Sequence, residues 1–453
     1  MDKALWNTIE KYDLDDPISE YGFSTRLQNE NFWTSNFTKE AILEYKKFMY
    51  LAASTDFMVS PSEIIDTVWH QHLIFSTSYD QFCALLGKKI EHIPSSHNDT
   101  DFERFQLAKE RTKKAYLNFF GEQPSSIWAY TDIYQPLQLP KYKLRTSGFI
   151  YRLFLILLTV IISCYGLLKL YPLIDNPYFM IGYLFLLAVG LISLERYNRG
   201  RLLALLNSWP KDVFIFNLSP SELVYAEYQQ LSHIVHGVIS NLILKESIRI
   251  LPDEKLSLTE NHKVENVQEF SSLQALKKSG PSKYEQLLNR LILKPGFNIT
   301  ARAINGFNKY LRKSVFFVRL NNVNVMALFT LFFLGLLRVY TGSRNEKPIV
   351  LLVTILIAYL VFIIYYIRRL RTLFSTKILP KFYENQLRAS PDDNPQWDYF
   401  LLGTASLVPF LIPIVERRRE SGADAGSDGG SSGSSDGNSC GSSCGSCGGC
   451  GGD

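Results

Sequence analysis

Hydrophobic positions in this chain fall into two kinds of pattern. Long unbroken apolar runs occupy Leu153–Leu170, Tyr178–Leu194, Val325–Tyr340 and Pro348–Ile367. Each is close to the roughly 20 residues that cross about 30 Å of hydrocarbon. They come in two tight pairs, joined by YPLIDNPY and TGSRNEK, whose Pro, Asp, Asn and Gly residues read as turns. Burying four such helices without lipid is difficult, so the pattern predicts two transmembrane hairpins. Elsewhere the apolar residues recur at helical spacing between polar ones. Lys39–Ala53 and Asp101–Phe120, the latter closed by Gly121, are predicted helices. Ser60-Pro61-Ser62 opens another, with Ser60 as candidate N-cap and Pro61 at the first helical position.

Between the hairpins, Ser219-Pro220-Ser221-Glu222 is a helix start, with Ser219 or Ser221 as cap, and His233–Lys245 a second helix. Ser247–Leu251 and Lys255–Leu258 read as two short strands, and Val264–Lys278 and Lys283–Leu293 as further helices. Two helices and a two-stranded wing predict a winged-helix-like insert. Its would-be recognition helix carries no Arg and only Lys245 at its end. That is too little to engage phosphates, so a packing or protein-contact module is expected and no nucleic acid. Tyr399–Val415 is apolar but holds Pro409 and Pro413 and runs into Arg417-Arg418-Arg419, which resists crossing.

The chain therefore reads as mostly α. It comprises a helical soluble N-terminal domain (1–140), hairpins at 149–195 and 323–368, and the winged-helix-like α+β insert (196–322). A cytoplasmic segment (369–398), an apolar re-entrant or interfacial segment (399–415) and a disordered Gly/Ser/Cys-rich tail (416–453) follow.

Charge adds orientation. Of 453 residues with a formal net charge of +5, much of the basic excess flanks the apolar runs. Lys141, Lys143, Arg145 and Arg152 precede the first, and Arg196, Arg199 and Arg201 follow the second. Lys309, Arg312, Lys313 and Arg319 precede the third, and Arg368, Arg369 and Arg371 follow the fourth. The positive-inside rule then places both soluble domains and the C-terminus in the cytoplasm, with the bilayer as first partner. The acidic, polar start MDKALWNTIEKYDLDD predicts no secretory signal.

Candidate chemistry sits in PSEIIDTVWHQHLIFSTSYDQFCALLGKKIEHIP, residues 61–94. Asp66, His70, His72, Cys83 and His92 are all of metal-ligating type, for Zn or Fe. Asp66 and His70, four apart, share a helix face, whereas His72 lies about 200° around from His70. One metal cannot take both histidines from an unbroken helix. A capping box at Ser78/Gln81 would break that helix and re-aim Cys83. His70, His92, Cys83 and Asp66 are thus the candidate set, for a water-activating site of hydrolase type. Against it stands an architectural reading, with His72 and Cys83 as core and Asp66 holding the ring of His70.

Six cysteines are present, four of them crowded at the end as Cys440, Cys444, Cys447 and Cys450. The C-x3-C-x2-C-x2-C spacing suits Zn, Cu(I) or an iron–sulfur cluster; the alternative is an idle flexible tail. Whether the chain is an enzyme stays open. An interaction or scaffolding role at the membrane is the first expectation, with the insert and the tail as contact regions. A metal-dependent hydrolase is the second. Transport is disfavoured, because the runs embed no acid or histidine.

Two resemblances accompany these readings. The pattern PSxxxDxxWHxH, YxxFC, HxP and FGEQPSSIW, within residues 25–130, resembles the N-terminal domain of the glycine-rich domain-containing proteins of plants, with bacterial relatives. It implies a helical domain. From Leu218, LSPSELVYAEY, LRVYTGSRNEKPIVLLV, RTLFSTKILPKF and the tail resemble a family of bacterial membrane proteins with Gly/Cys-rich ends. Glu227-Tyr228 stands where that family has Gly-Gly, and Glu346-Lys347-Pro348 where it has a GRP turn. This likeness implies a multi-pass protein of the bacterial inner membrane.

Overall fold

The computed structural model describes residues 2–93, 99–143, 165–260, 264–389 and 396–420. Most of the described chain is helical, with one small antiparallel sheet. Two compact units form: Met1–Leu137 with Pro210–Phe307 and the chain from Pro380, and Gln138–Trp209 with Asn308–Leu379.

In the first unit the described residues of the front form the helices α1 (Lys3–Lys11), α2 (Phe23–Asn31), α3 (Ser35–Ser54), α4 (Glu63–Ile74), α5 (Ser76–Leu86), α6 (Asp99–Phe120) and α7 (Ser125–Trp128). Their core forms where the apolar stripe of α3 (Tyr45, Phe48, Met49) meets that of α4 (Ile65, Val68, Trp69). Two local expectations are corrected. Ser62, not Ser60, caps α4, accepting the Ile65 N–H at 3.2 Å. Ser60 is drawn inward instead, its N–H donating to Thr112 Oγ1 on α6. The helix also breaks earlier than Ser78, at Phe75 (ψ 57°), so α5 begins at Ser76.

The front and the middle, read from sequence as separate domains, belong to this one unit. Glu222 shows why. Ser219 caps the helix Pro220–Tyr228 in a reciprocal capping box with Glu222, whose Oε2 accepts the Ser219 N–H at 2.7 Å. Its other oxygen accepts the N–H of Ser35, the first residue of α3, at 2.7 Å. One buried carboxylate thus serves the N-termini of two helices that lie far apart in sequence. Burial pushes its pKa up.

The middle continues through the helix Leu231–Leu244, strands β1 (Ile248–Ile250) and β2 (Lys255–Leu258), the helix Val267–Ser279, strand β3 (Ser282–Lys283), and the helices Tyr284–Leu291 and Pro295–Arg312. The expected two-stranded wing gains a third strand: Arg249 faces Ser257 and Leu256 faces Ser282. The segment from 399 to 415 forms a helix, Gln396–Leu402, a 3-10 turn, Gly403–Ser406, and the start of Ile412–Glu420. It packs on the helix Leu231–Leu244: a Cβ at Gly237 would meet the Tyr399 ring at 3.2 Å, and the Val408 N–H reaches Ser240 Oγ.

Among the described residues three helices are long and apolar enough to cross a membrane: Pro177–Ser208, Val315–Arg344 and Val350–Leu370. All three contribute to the second unit, and each outruns its apolar stretch. They pack through Tyr183, Leu187, Leu328, Leu356, Tyr359 and Ile363. Glycine lets them approach: a Cβ at Gly335 would come within 2.6 Å of Leu356 and of the Tyr183 hydroxyl. Asn198 and Asn324, both fully buried, exchange side-chain hydrogen bonds at 2.7 Å, and Asn198 also donates to Tyr366. Arg338, also buried, donates to the carbonyls of Tyr171 and Ile174, in the turn that precedes the helix Pro177–Ser208. Residues 153–164 of the first predicted span, and the tail with Cys440, Cys444, Cys447 and Cys450, lie outside the described residues.

Candidate metal centre

Four residues apart on α4, Asp66 and His70 stand on one face. The chain leaves α5 at Gly87, whose φ of +71° suits the left-handed turn, and returns past α4 to place His92 beside them. His92 Nε2 lies 3.1 Å from Asp66 Oδ1, and His70 Nδ1 lies 3.1 Å from Asp66 Oδ2. His70 Nδ1 also sits 2.9 Å from the Asp66 carbonyl. The two imidazole rings are 4.5 Å apart, and His92 packs edge-on against Trp69 at the same separation. Asp66 and His92 are largely buried, whereas the His70 side chain is 42% exposed. One ligand atom from each of the three lies within 4.8 Å of the others.

The remaining candidates go elsewhere. His72 is fully buried, its Nδ1 2.8 Å from the Tyr45 hydroxyl and its Nε2 3.2 Å from Ser78 Oγ. Burial lowers its pKa to about 4, so the ring is neutral near neutral pH. Cys83 is buried on α5 and does not join the Asp66 group. The break at Phe75 sets the direction of α5, and Cys83 ends in the core beside Phe82.

Two imidazoles and one carboxylate are a donor set that zinc or ferrous iron accepts with positions left open. The same atoms also satisfy one another, since one carboxylate can accept from both rings. A metal held there would be bound by the imidazole nitrogens that are now turned toward Asp66.

Sequence reading missed a second carboxylate. Glu44, nearly fully buried on α3, accepts from the Tyr116 hydroxyl and from Trp128 Nε1, each at 2.7 Å. Lys47 Nζ reaches its other oxygen at 2.7 Å and the Tyr116 hydroxyl at 3.1 Å. Burial and this contact push the Tyr116 hydroxyl's pKa up, keeping it a donor. The available signal was an acid on the apolar stripe, three residues after Ala41 and four before Phe48. Compared with family models, curated proteins and solved structures, the chain gives no match.

Proposed function

We propose that the chain is a multi-pass membrane protein that holds its first unit at the membrane as a cytoplasmic interaction module. One observation carries the membrane part. The three long helices stay apolar on the sides turned away from their shared core. Ile181 and Phe185, Met326 and Phe329, and Ile357, Val361 and Ile364 are all exposed large hydrophobics at helical spacing. In water such helices would present a polar outer face; in lipid they need none. The run at Leu153–Leu170 completes two hairpins in this reading, and the flanking Lys and Arg residues support a cytoplasmic placement of both termini. The resemblance to bacterial membrane proteins with Gly/Cys-rich ends favours the inner membrane. Residues 196–322 and the tail are the proposed contact regions for protein partners. Alkaline carbonate treatment of membranes carrying the full chain is the test, with retention expected.

A second reading is favoured by the Asp66, His70 and His92 cluster: these three residues hold one zinc or ferrous ion. Such an ion supplies Lewis acidity and an acidified water, the chemistry of a hydrolase. Metal content of the full chain, purified without a His-tag, tests this. The expected result is about one equivalent, with affinity reduced at least roughly 100-fold in His70→Ala or His92→Ala and unchanged in Cys83→Ser. Metal-free protein, or equal loading in all variants, sinks the metal reading and leaves the interaction role untouched. Because front and middle share one unit, the full chain is the right material.

A further inference from the structure

A cleft of about 720 Å³ opens where α4 begins, walled by α6 and by the segment after it. Its volume suits a small molecule. The charged groups that line it are of both signs. Lys109 and Lys113, one turn apart on α6, face it, as do Glu63 and Asp66 of α4 and Glu122 beyond α6. Lys109 lies close enough to Glu63 to act on its charge, and burial together with the nearby Asp66 pushes the Glu63 carboxyl up. Trp128 and Tyr130, both half-buried, add aromatic wall. Ser60 also lines the cleft; it is 2% exposed, and its buried Oγ has no hydrogen-bond partner. The Ser60 backbone is pinned by Thr112, so that hydroxyl cannot relax far from the cleft.

We infer that this cleft binds a small zwitterion of the amino-acid or short-peptide class. Its carboxylate is taken by Lys109 and Lys113, and its ammonium by Glu63 and Glu122. A simple anion would be opposed by three carboxylates, and a simple cation by two lysines; a molecule carrying both charges matches the lining. The half-buried aromatics accept an apolar side chain. The inference goes beyond the metal reading and stands without it, although Asp66 belongs to both places.

Calorimetric titration of chelator-treated full chain in detergent with leucyl-leucine tests the inference. The free dipeptide is expected to bind, and its C-terminal amide or its N-acetyl derivative to bind roughly tenfold more weakly. The Lys109→Ala/Lys113→Ala double variant should lose the distinction between free acid and amide. Both lysines are exposed, so its melting temperature should be unchanged. Equal binding of free and capped dipeptides, no binding of any, or an unaltered preference in the double variant would overturn the inference. If the double variant fails to fold, the comparison of free and capped ligands on the unmodified chain still decides. Metal content, measured on untreated protein, is scored separately, so this pocket and the metal reading can fail independently.

Discussion

Replacing Glu222 by alanine lowers the melting temperature of the first unit by roughly 6–12 °C, corresponding to about 3 kcal/mol. The magnitude follows from what the carboxylate holds. It accepts the N–H groups of Ser219 and Ser35, both within first helical turns that have no intrahelical acceptor for them. Alanine leaves both part-buried N–H groups without their acceptor and removes the Glu222 half of the capping box. Glu222→Gln keeps one acceptor oxygen and should lose about half as much. The same variant tests the joining of front and middle, because Ser35 opens α3 while Ser219 opens the helix Pro220–Tyr228. Limited proteolysis should cut faster in Glu222→Ala at the two segments the carboxylate holds, just before Ser35 and just before Ser219. Melting within a degree of the parent, with unchanged proteolysis, would mean that the shared cap does not hold the two regions together.

Glu44→Ala is expected to cost about 3–5 kcal/mol, the scale of stripping one partner from a buried ion pair. Lys47 loses its counter-charge in a site where its side chain is 19% exposed, and Tyr116 and Trp128 lose their acceptor. These three come from α3, α6 and the FGEQPSSIW segment, so one carboxylate ties three elements. Trp128→Phe removes a single donor and should cost about 1 kcal/mol. A double-mutant cycle between Glu44 and Trp128 reads the coupling directly, and additivity of the two losses would contradict the network.

What the sequence made legible, and what it hid, divides along contact distance. Helical stripes are local, so α3, α4 and α6 were readable from spacing, as was the separation of His70 from His72 around α4. The helix start at Ser219-Pro220-Ser221-Glu222 was likewise written within four residues. Glu222's second role was not, because Ser35 lies 187 residues away along the chain. The pairing of Asp66 with His92 spans 26 residues, and proximity in sequence favoured Cys83 as strongly. The direction of α5 decided between them, and that direction depends on the backbone at Phe75. Strand β3 covers two residues, too few for any alternation to register. The Asn198–Asn324 pair was invisible for the same reason as Glu222, since nothing local marks two amides as partners.

Lipid covers the exposed apolar faces of the helices Pro177–Ser208, Val315–Arg344 and Val350–Leu370 if the chain is a membrane protein as proposed. Alkaline carbonate extraction of membranes containing the full chain, followed by sedimentation, asks this directly. The chain is expected to stay in the membrane pellet and to leave it only with detergent. Release into the carbonate supernatant as a folded protein would contradict it, and would require another macromolecular surface to cover Phe185, Phe329 and Ile357.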